Sequence, residues 1–174
     1  MRAPDPVAFS IFGFDIMWYG LLIGIGFMLA VIISYIRAPK YGIDPDFILT
    51  LTIWIIPSAI IGARLYYVIF SWDNFSDNPS EIFNIRNGGL ILCFIVGYFL
   101  CRHYKVSFLS TADLIAPVIP LAQSIGRWGN FFNEEAHGVP TDLPWAQIID
   151  GTGYHPTFLY ESIWCFLLFV FLMY

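Results

Sequence analysis

Long apolar stretches are the feature that most restricts how this chain can fold. A transmembrane helix needs about 20 apolar residues to cross roughly 30 Å of hydrocarbon. Only 12% of the residues are charged, whereas a soluble domain carries about 25%. So few charged residues leave too little polar surface for a soluble enzyme. The same composition makes a nucleic-acid-binding protein or a disordered tail a poor interpretation. Five apolar stretches are present: residues 16–36, 47–70, 90–101, 108–125 and 157–174.

These stretches predict an all-α fold, a polytopic transmembrane helical bundle of about five spans. Because no repeat or soluble linker interrupts the pattern, residues 1–174 are expected to form a single integral membrane domain. The third stretch is short, since its 12 residues make about 18 Å of helix. We expect it to recruit flanking residues, to enter the membrane at an angle or to turn back. Pro117 and Pro120 are expected to kink the fourth stretch.

Positive charges set the expected orientation of the spans. Both lysines of the chain, Lys40 and Lys105, follow the first and third stretches, together with Arg37 and Arg102. Lys and Arg are enriched in cytoplasmic loops of membrane proteins. We therefore expect an N-terminus outside, a C-terminus that heads inward, and a long polar segment, residues 126–157, at the outer face.

Small residues recur along the first stretch at Gly20, Gly24 and Gly26. A face of small residues allows another helix to approach closely. Two interpretations stay open, namely packing within one bundle and contact between two copies. The cysteines of the chain lie in apolar stretches without the CxxC spacing of a ligand set, which argues against a disulfide framework and a zinc site.

Residues 126–138, GRWGNFFNEEAHG, hold the densest group of polar side chains. Arg127 lies where the fourth apolar stretch gives way to this segment, and a guanidinium is a planar donor fork that suits a phosphodiester. The segment therefore indicates a site for an anionic amphiphile at the outer leaflet. The structural alternative is a capped helix end followed by a solvated acidic loop.

The other polar residues of this segment suit the same chemistry. Asn130 and Asn133 can orient hydroxyl or ester oxygens. Glu134 or Glu135 is expected to pair with an arginine or to accept a proton. The glycines between them permit tight turns and close backbone approach.

Further candidates lie at other span ends. Arg64 is a charged residue near the end of the second stretch. Because a charged side chain within a membrane span is costly, its presence there indicates a functional role. Tyr19 is either an aromatic anchor at the interface or part of a site. His155, Tyr160 and Glu161 gather at the mouth of the last stretch, where a capping role and a site role are both open.

The segment GRWGNFFNEEAHG resembles the signature of the prolipoprotein diacylglyceryl transferase family, integral enzymes of the bacterial cytoplasmic membrane. The resemblance covers nearly the whole chain, because further motifs follow in the order of the family. These motifs are Met17-Trp18-Tyr19-Gly20, Gly62-Ala63-Arg64-Leu65-Tyr66-Tyr67, Thr111-Ala112-Asp113 with Ala116-Pro117, and His155-Pro156 with Tyr160-Glu161.

The resemblance implies a transferase of lipoprotein biosynthesis. The diacylglyceryl group of phosphatidylglycerol passes to the lipobox cysteine thiol in the signal peptide of a prolipoprotein, a thioether forms, and glycerol phosphate leaves. The implied location is the bacterial inner membrane, with the active site facing the outer side. Membrane lipid is an implied partner and nucleic acid is not, and no metal or organic cofactor is expected.

The family motif also implies roles for single residues. Arg127 would hold the lipid phosphate, while Asn130 and Glu135 would orient the head group and the arginine. Gly138 would give the backbone clearance, and Tyr19 would close the site from the first helix. Three further residues would bind substrate: Arg64 as a second cation, His155 and Tyr160.

Two departures from the family pattern bear on activity. A histidine motif is usual in the third span, but here Gly88-Gly89-Leu90 runs into Ile91-Leu92-Cys93-Phe94 without one. Family members also continue past residue 174 with a further arginine and a final span, so the resemblance implies a shortened member. The alternatives are an inactive relative that only binds phosphatidylglycerol and, from a different class, a small membrane transporter.

Overall fold

Apolar helices make up most of the chain in the computed structural model, which describes residues 1–70 and 90–174, with the side chains of 63–70, 90 and 91 excepted. The α-helices of these ranges are α1 (Trp18–Arg37), α2 (Pro45–Phe70), α3 (Leu90–His103), α4 (Phe108–Ile115), α5 (Val118–Phe132) and α6 (Thr157–Met173). Two short antiparallel hairpins accompany them: β1 (Val7–Ile11) with β2 (Phe14–Met17), and β3 (Gln147–Ile149) with β4 (Thr152–Tyr154).

The lengths and apolarity of the helices confirm the prediction of a helical, multi-pass membrane protein. Three helical segments of the described chain are long and apolar enough to cross a membrane: Trp18–Tyr41, Pro45–Gly62 and Phe108–Phe132. Two shorter apolar helices, Leu92–His103 and Thr157–Met173, correspond to the third and last predicted stretches.

The boundaries of the first helix differ slightly from the expectation. Helix α1 begins at Trp18 rather than at residue 16, because Phe14–Met17 pair with β1 as a strand. The helix ends at Arg37, and a 3-10 turn follows and closes at Gly42, whose φ of 67° lies in the left-handed region that glycine adopts without strain.

The fourth predicted span is two helices. Helix α4 ends at Ile115, and α5 begins at Val118 after Pro117. Proline lacks an amide hydrogen and its ring clashes with the preceding turn, so the break falls where the sequence predicted a kink. Helix α5 then continues to Phe132 instead of ending near residue 125. The first residues of the polar segment 126–157 are therefore helical, and the predicted end of the fourth span was too early.

The chain divides into two compact units, Met1–Ser34 with Leu114–Tyr174, and Tyr35–Asp113. In the second unit α2 and α3 pack side by side, with the rings of Phe47 and Tyr104 5.6 Å apart. The expectation of a single domain stays a prediction.

Helices α5 and α6 form the centre of the first unit. Buried aromatic rings fill their interface, since Phe131 and Phe158 have ring centroids 4.9 Å apart and are 8% and 2% exposed. Helix α1 packs on α5 at Gly26, where an added Cβ would lie 3.0 Å from the carbonyl oxygen of Ala122. The close approach predicted from the small residues is therefore made at Gly26 within the unit.

We expect Gly26→Ala to destabilise the protein, because its Cβ would meet the backbone of Ala122 at 3.0–3.2 Å. Overpacking of this kind costs about 1–3 kcal/mol. Gly24→Ala is the matched control, since a Cβ there meets no described atom within 4 Å and both changes favour the helix equally. Thermal unfolding in nanodiscs should show a lower Tm for Gly26→Ala than for Gly24→Ala, and equal Tm values would contradict the packing.

Candidate functional site

An ion pair joins α5 to α6. The Nε of Arg127 lies 2.5 Å from Oε2 of Glu161, and both side chains are partly exposed. Nε makes no hydrogen bond to any described group, so the contact is an ion pair without hydrogen-bond alignment. The sequence pointed to Glu134 or Glu135 as the carboxylate partner of an arginine; the observed partner of Arg127 is Glu161, because the start of α6 runs beside the end of α5.

A chain of hydrogen bonds leads from the same arginine into the loop after α5. Nη1 of Arg127 donates to Oδ1 of Asn130 at 3.4 Å, one helical turn further on. Nδ2 of Asn130 donates to Oε1 of Glu135 at 3.1 Å, and Nδ2 of Asn133 donates to the same oxygen at 3.1 Å. The structure therefore links three of the predicted site residues, Arg127, Asn130 and Glu135.

The loop turns back through two residues in the left-handed region. Glu134 and Ala136 both have φ of 53°, although neither is glycine. Such conformations cost about 1–3 kcal/mol each and persist where surrounding contacts hold them. Two contacts do so here: the amide of Glu135 donates to the carbonyl of Asn130 at 3.1 Å, and the hydroxyl of Thr157 donates to the carbonyl of Ala136. The turn brings the Glu135 carboxylate back over the end of α5.

Tyr19 lies against α5 at Gly129. A Cβ on Gly129 would lie 2.5 Å from Cδ2 and 3.2 Å from Cα of Tyr19, so only glycine allows this approach. Beside it, the rings of Trp18 and Phe132 stack with centroids 5.0 Å apart. The start of α1 is thus fixed at Gly129, which lies two residues after Arg127 and one residue before Asn130 on α5.

Gly138 provides a second close approach. A Cβ there would lie 2.8 Å from Cβ of His155, and the Gly138 amide donates to the His155 carbonyl at 2.9 Å. Nδ1 of His155 lies 3.3 Å from the hydroxyl of Tyr160, which also accepts a hydrogen bond from Nε1 of Trp145 at 3.0 Å. Gly138, His155 and Tyr160 therefore form one contact group at the start of α6.

A buried serine pair sets the register between α5 and α6, and sequence reasoning missed it. The hydroxyl of Ser124 donates to the carbonyl of Ser162 at 2.8 Å, and the hydroxyl of Ser162 donates back to the carbonyl of Ser124 at 2.9 Å. Nε1 of Trp128 donates to the Ser162 hydroxyl at 3.0 Å. Trp128 and Ser162 are the chain neighbours of Arg127 and Glu161, so the pair aligns the ion pair. In the sequence, the signal for this pair was one serine in each of two apolar stretches, Ser124 and Ser162.

Arg64 and His137 are the remaining polar residues to be placed. Arg64 belongs to α2 in the other unit, and its side chain lies outside the described residues. His137 has Nδ1 3.2 Å from the carbonyl of Gly138 and its ring 4.3 Å from that of Tyr154. Within the part of the chain that the structure describes, no three His, Cys, Asp or Glu side chains are placed to hold a metal ion. Residues 88–94, the third-span segment without a histidine motif, lie partly outside the described residues.

Removing the Glu161 charge is expected to weaken the site through Arg127. Glu161→Gln keeps the size of the side chain but leaves the guanidinium without its ion-pair partner. We expect any phosphate-dependent activity to fall by up to about 100-fold, the effect of misplacing a positioning group by about 1 Å. Glu134→Gln is the matched control, because Glu134 is exposed and outside this pair. If Glu161→Gln and Glu134→Gln had equal activities, the Arg127–Glu161 ion pair would have no role in that activity.

The fold and the site together define a class: a multi-pass helical membrane protein with an arginine-centred polar group where two apolar helices meet. A family model described as "Prolipoprotein diacylglyceryl transferase" matches residues 6–174, and the chain belongs to this family. The resemblance drawn from the motifs is thereby confirmed.

Relatives from three organisms support the assignment, and each is named phosphatidylglycerol–prolipoprotein diacylglyceryl transferase. The protein of Finegoldia magna is 51% identical over 176 residues, which cover 98% of this chain and 71% of the relative. That of Clostridioides difficile is 47% identical over 175 residues, 97% of this chain and 71% of the relative. That of Clostridium novyi is 46% identical over 185 residues, 97% of this chain and 72% of the relative.

Proposed function

We propose that the chain transfers the diacylglyceryl group of phosphatidylglycerol to the lipobox cysteine thiol of prolipoproteins. The observation that carries this proposal is the Arg127–Asn130–Glu135 hydrogen-bond chain beside the Arg127–Glu161 ion pair. It presents a guanidinium, the group best suited to a phosphodiester, where apolar helices end. The name of the relatives, phosphatidylglycerol–prolipoprotein diacylglyceryl transferase, supplies the two substrates.

The reaction exchanges a carbon–oxygen bond for a carbon–sulfur bond. The thiol sulfur attacks the glyceryl carbon that bears the phosphate ester, and the C–S bond of the thioether forms. The bond between that carbon and the ester oxygen breaks, the electron pair stays on oxygen, and glycerol phosphate leaves. The thiol proton passes to a base. Negative charge on the leaving phosphate grows during this step, so a fixed cation beside it lowers the barrier.

The residues around Arg127 serve this step in different ways. Arg127 binds the phosphate and stabilises the charge of the leaving group, with N–H donors beyond the two that contact Asn130 and Glu161. Asn130 and Glu135 orient the arginine and the head group. Tyr19 closes the site from α1.

The His155 group completes the proposed site. His155 and Tyr160 bind substrate at the start of α6, where Gly138 allows the backbone to approach. The second-helix motif of the family implies the role of a second cation for Arg64. The base that takes the thiol proton is to be sought among Tyr19, Glu135, His137 and His155, which are titratable groups of the same unit as Arg127.

A transfer assay tests the proposal. The purified chain in phosphatidylglycerol vesicles is mixed with a lipobox peptide, and the mass of the peptide is followed. We expect addition of one diacylglyceryl group, which a peptide with Ser in place of the lipobox Cys does not receive, nor the original peptide in phosphatidylcholine vesicles. Unmodified peptide with a folded chain that binds phosphatidylglycerol would indicate an inactive relative.

We place the protein in the bacterial inner membrane with the Arg127 site at the outer face, on the evidence of the lysine bias. A tag inserted between Arg37 and Lys40 is then expected to react with a membrane-impermeant reagent only after the cells are opened. Labelling of this tag in intact cells would invert the orientation. A tag in the hairpin turn at Gly151 is the control, because it should be labelled in intact cells.

A further inference from the structure

The β1–β2 hairpin has one apolar and one polar face. Cross-strand partners in an antiparallel pair share a face, and neighbours along a strand alternate. Ser10 pairs with Asp15 on one face, and the Ser10 hydroxyl donates to Oδ1 of Asp15 at 2.5 Å. The opposite face carries the pairs Phe9–Ile16 and Ile11–Phe14.

The apolar face is uncovered within the described structure. Phe9 and Ile11 are 45% and 46% exposed, Phe14 is 79% exposed, and Phe12 at the turn is 99% exposed. Phe12 also has φ of 51°, a conformation that a bulky aromatic residue rarely adopts. A contiguous exposed apolar surface of this kind marks contact with a membrane or with another molecule.

The connection to α1 identifies the membrane as the partner. Helix α1 has 20 residues, which make about 30 Å of helix and match the hydrocarbon thickness of a bilayer. The hairpin joins α1 without a linker, since β2 ends at Met17 and α1 begins at Trp18, whose amide donates to the carbonyl of Pro6 at 3.0 Å. The base of the hairpin therefore lies at the boundary between hydrocarbon and head groups.

We propose that the β1–β2 hairpin is an interfacial anchor that lies along the membrane with its apolar face in the lipid. A strand of five residues reaches about 17 Å, so an upright hairpin would hold Phe12 in water beyond the head groups. In the flat orientation the apolar face contacts acyl chains, while Ser10 and Asp15 on the polar face contact water. Amphipathic segments bind at bilayer interfaces in this way.

The anchor is joined to the candidate site within one unit. Trp18, the first residue after the hairpin, stacks on Phe132, and Tyr19 packs against Gly129. The hairpin thus holds the end of α5 at the same leaflet surface from which a lipid head group is reached. This inference concerns membrane contact and does not depend on the proposed transfer reaction.

An environment-sensitive fluorophore tests the anchor. The full chain carries NBD on a cysteine at Phe12→Cys, or at Ser10→Cys as the matched control on the polar face, with the native cysteines changed to Ser. In vesicles of phosphatidylglycerol and phosphatidylcholine we expect a blue-shifted emission at position 12, with strong quenching by lipids that carry a spin label on the acyl chain. Position 10 should show the emission of a probe in water and little quenching.

Several results would overturn the proposal. No quenching at position 12, or equal quenching at both positions, would contradict a one-sided anchor. A shift that appears only with added lipobox peptide would assign the face to the peptide, and one that grows with protein density in the vesicles would assign it to a second copy. Hydroxyl-radical footprinting of the native chain needs no substitution. Weak oxidation of Phe12 and Phe14 in vesicles is expected, and strong oxidation would place the face in water.

Discussion

Arg127→Ala is expected to reduce diacylglyceryl transfer by about 10²-fold to 10³-fold, the usual effect of removing a donor that stabilises developing charge. The guanidinium is the cation at the centre of the described contacts, since it pairs with Glu161 and donates to Asn130. Its loss leaves the leaving phosphate without a fixed positive partner. Transfer to a lipobox peptide in phosphatidylglycerol vesicles measures the effect.

Two controls separate charge, geometry and folding in this experiment. Arg127→Lys keeps the positive charge but loses the planar donor fork. We therefore expect its transfer rate to lie between those of the wild type and Arg127→Ala. Membrane insertion and Tm should stay close to the wild type in both variants, because Arg127 is partly exposed. Unchanged transfer by Arg127→Ala would exclude Arg127 from the site.

Gly129→Ala is expected to disrupt the contact between α1 and α5 and with it the site. Its Cβ would lie 2.5 Å from the ring and 3.2 Å from Cα of Tyr19, and neither backbone nor a packed ring can yield easily. Strain of this kind costs about 1–3 kcal/mol and shifts Tyr19 away from α5. We expect a lower Tm and a fall in transfer of about 10²-fold, as for a misplacement of about 1 Å.

Gly126→Ala is the matched control for this change. It lies one turn earlier on α5, where an added Cβ meets the Ile23 side chain at an ordinary 3.9 Å. Both substitutions raise helix propensity by about 1 kcal/mol, so the difference between them reports the clash alone. If Gly129→Ala and Gly126→Ala had the same Tm and the same transfer rate, the contact of Tyr19 with Gly129 would be refuted.

The sequence was sufficient to predict the apolar helices and the family, but not where the helices end. A long apolar run indicates a segment within lipid, where unpaired backbone amide and carbonyl groups are costly. Such a segment therefore forms a helix regardless of the helices that pack against it. The end of α5 depends on tertiary packing instead. Gly126 and Gly129 weaken a helix by themselves, yet α5 continues through them because α1 and α6 pack against it.

The residues of the candidate site were better predicted than their partners. The signature segment contains Arg127, Asn130 and Glu135, which the structure connects by hydrogen bonds over short sequence distances. The ion pair with Glu161 joins residues 34 positions apart in the chain, 161 − 127, and follows from the register of α6 on α5. No local pattern reports that register. The sequence analysis did not predict the β1–β2 hairpin, and the predicted first span began inside β2, at residue 16.

The central claim is that this chain catalyses transfer and does not only bind lipid. The most direct test is to measure both products in one reaction with phosphatidylglycerol vesicles and a lipobox peptide: the diacylglyceryl thioether by mass and the glycerol phosphate released into solution. We expect equal amounts of the two products, and we expect Arg127→Ala to lose both. Saturable binding of phosphatidylglycerol by the folded wild-type chain with neither product formed would contradict it.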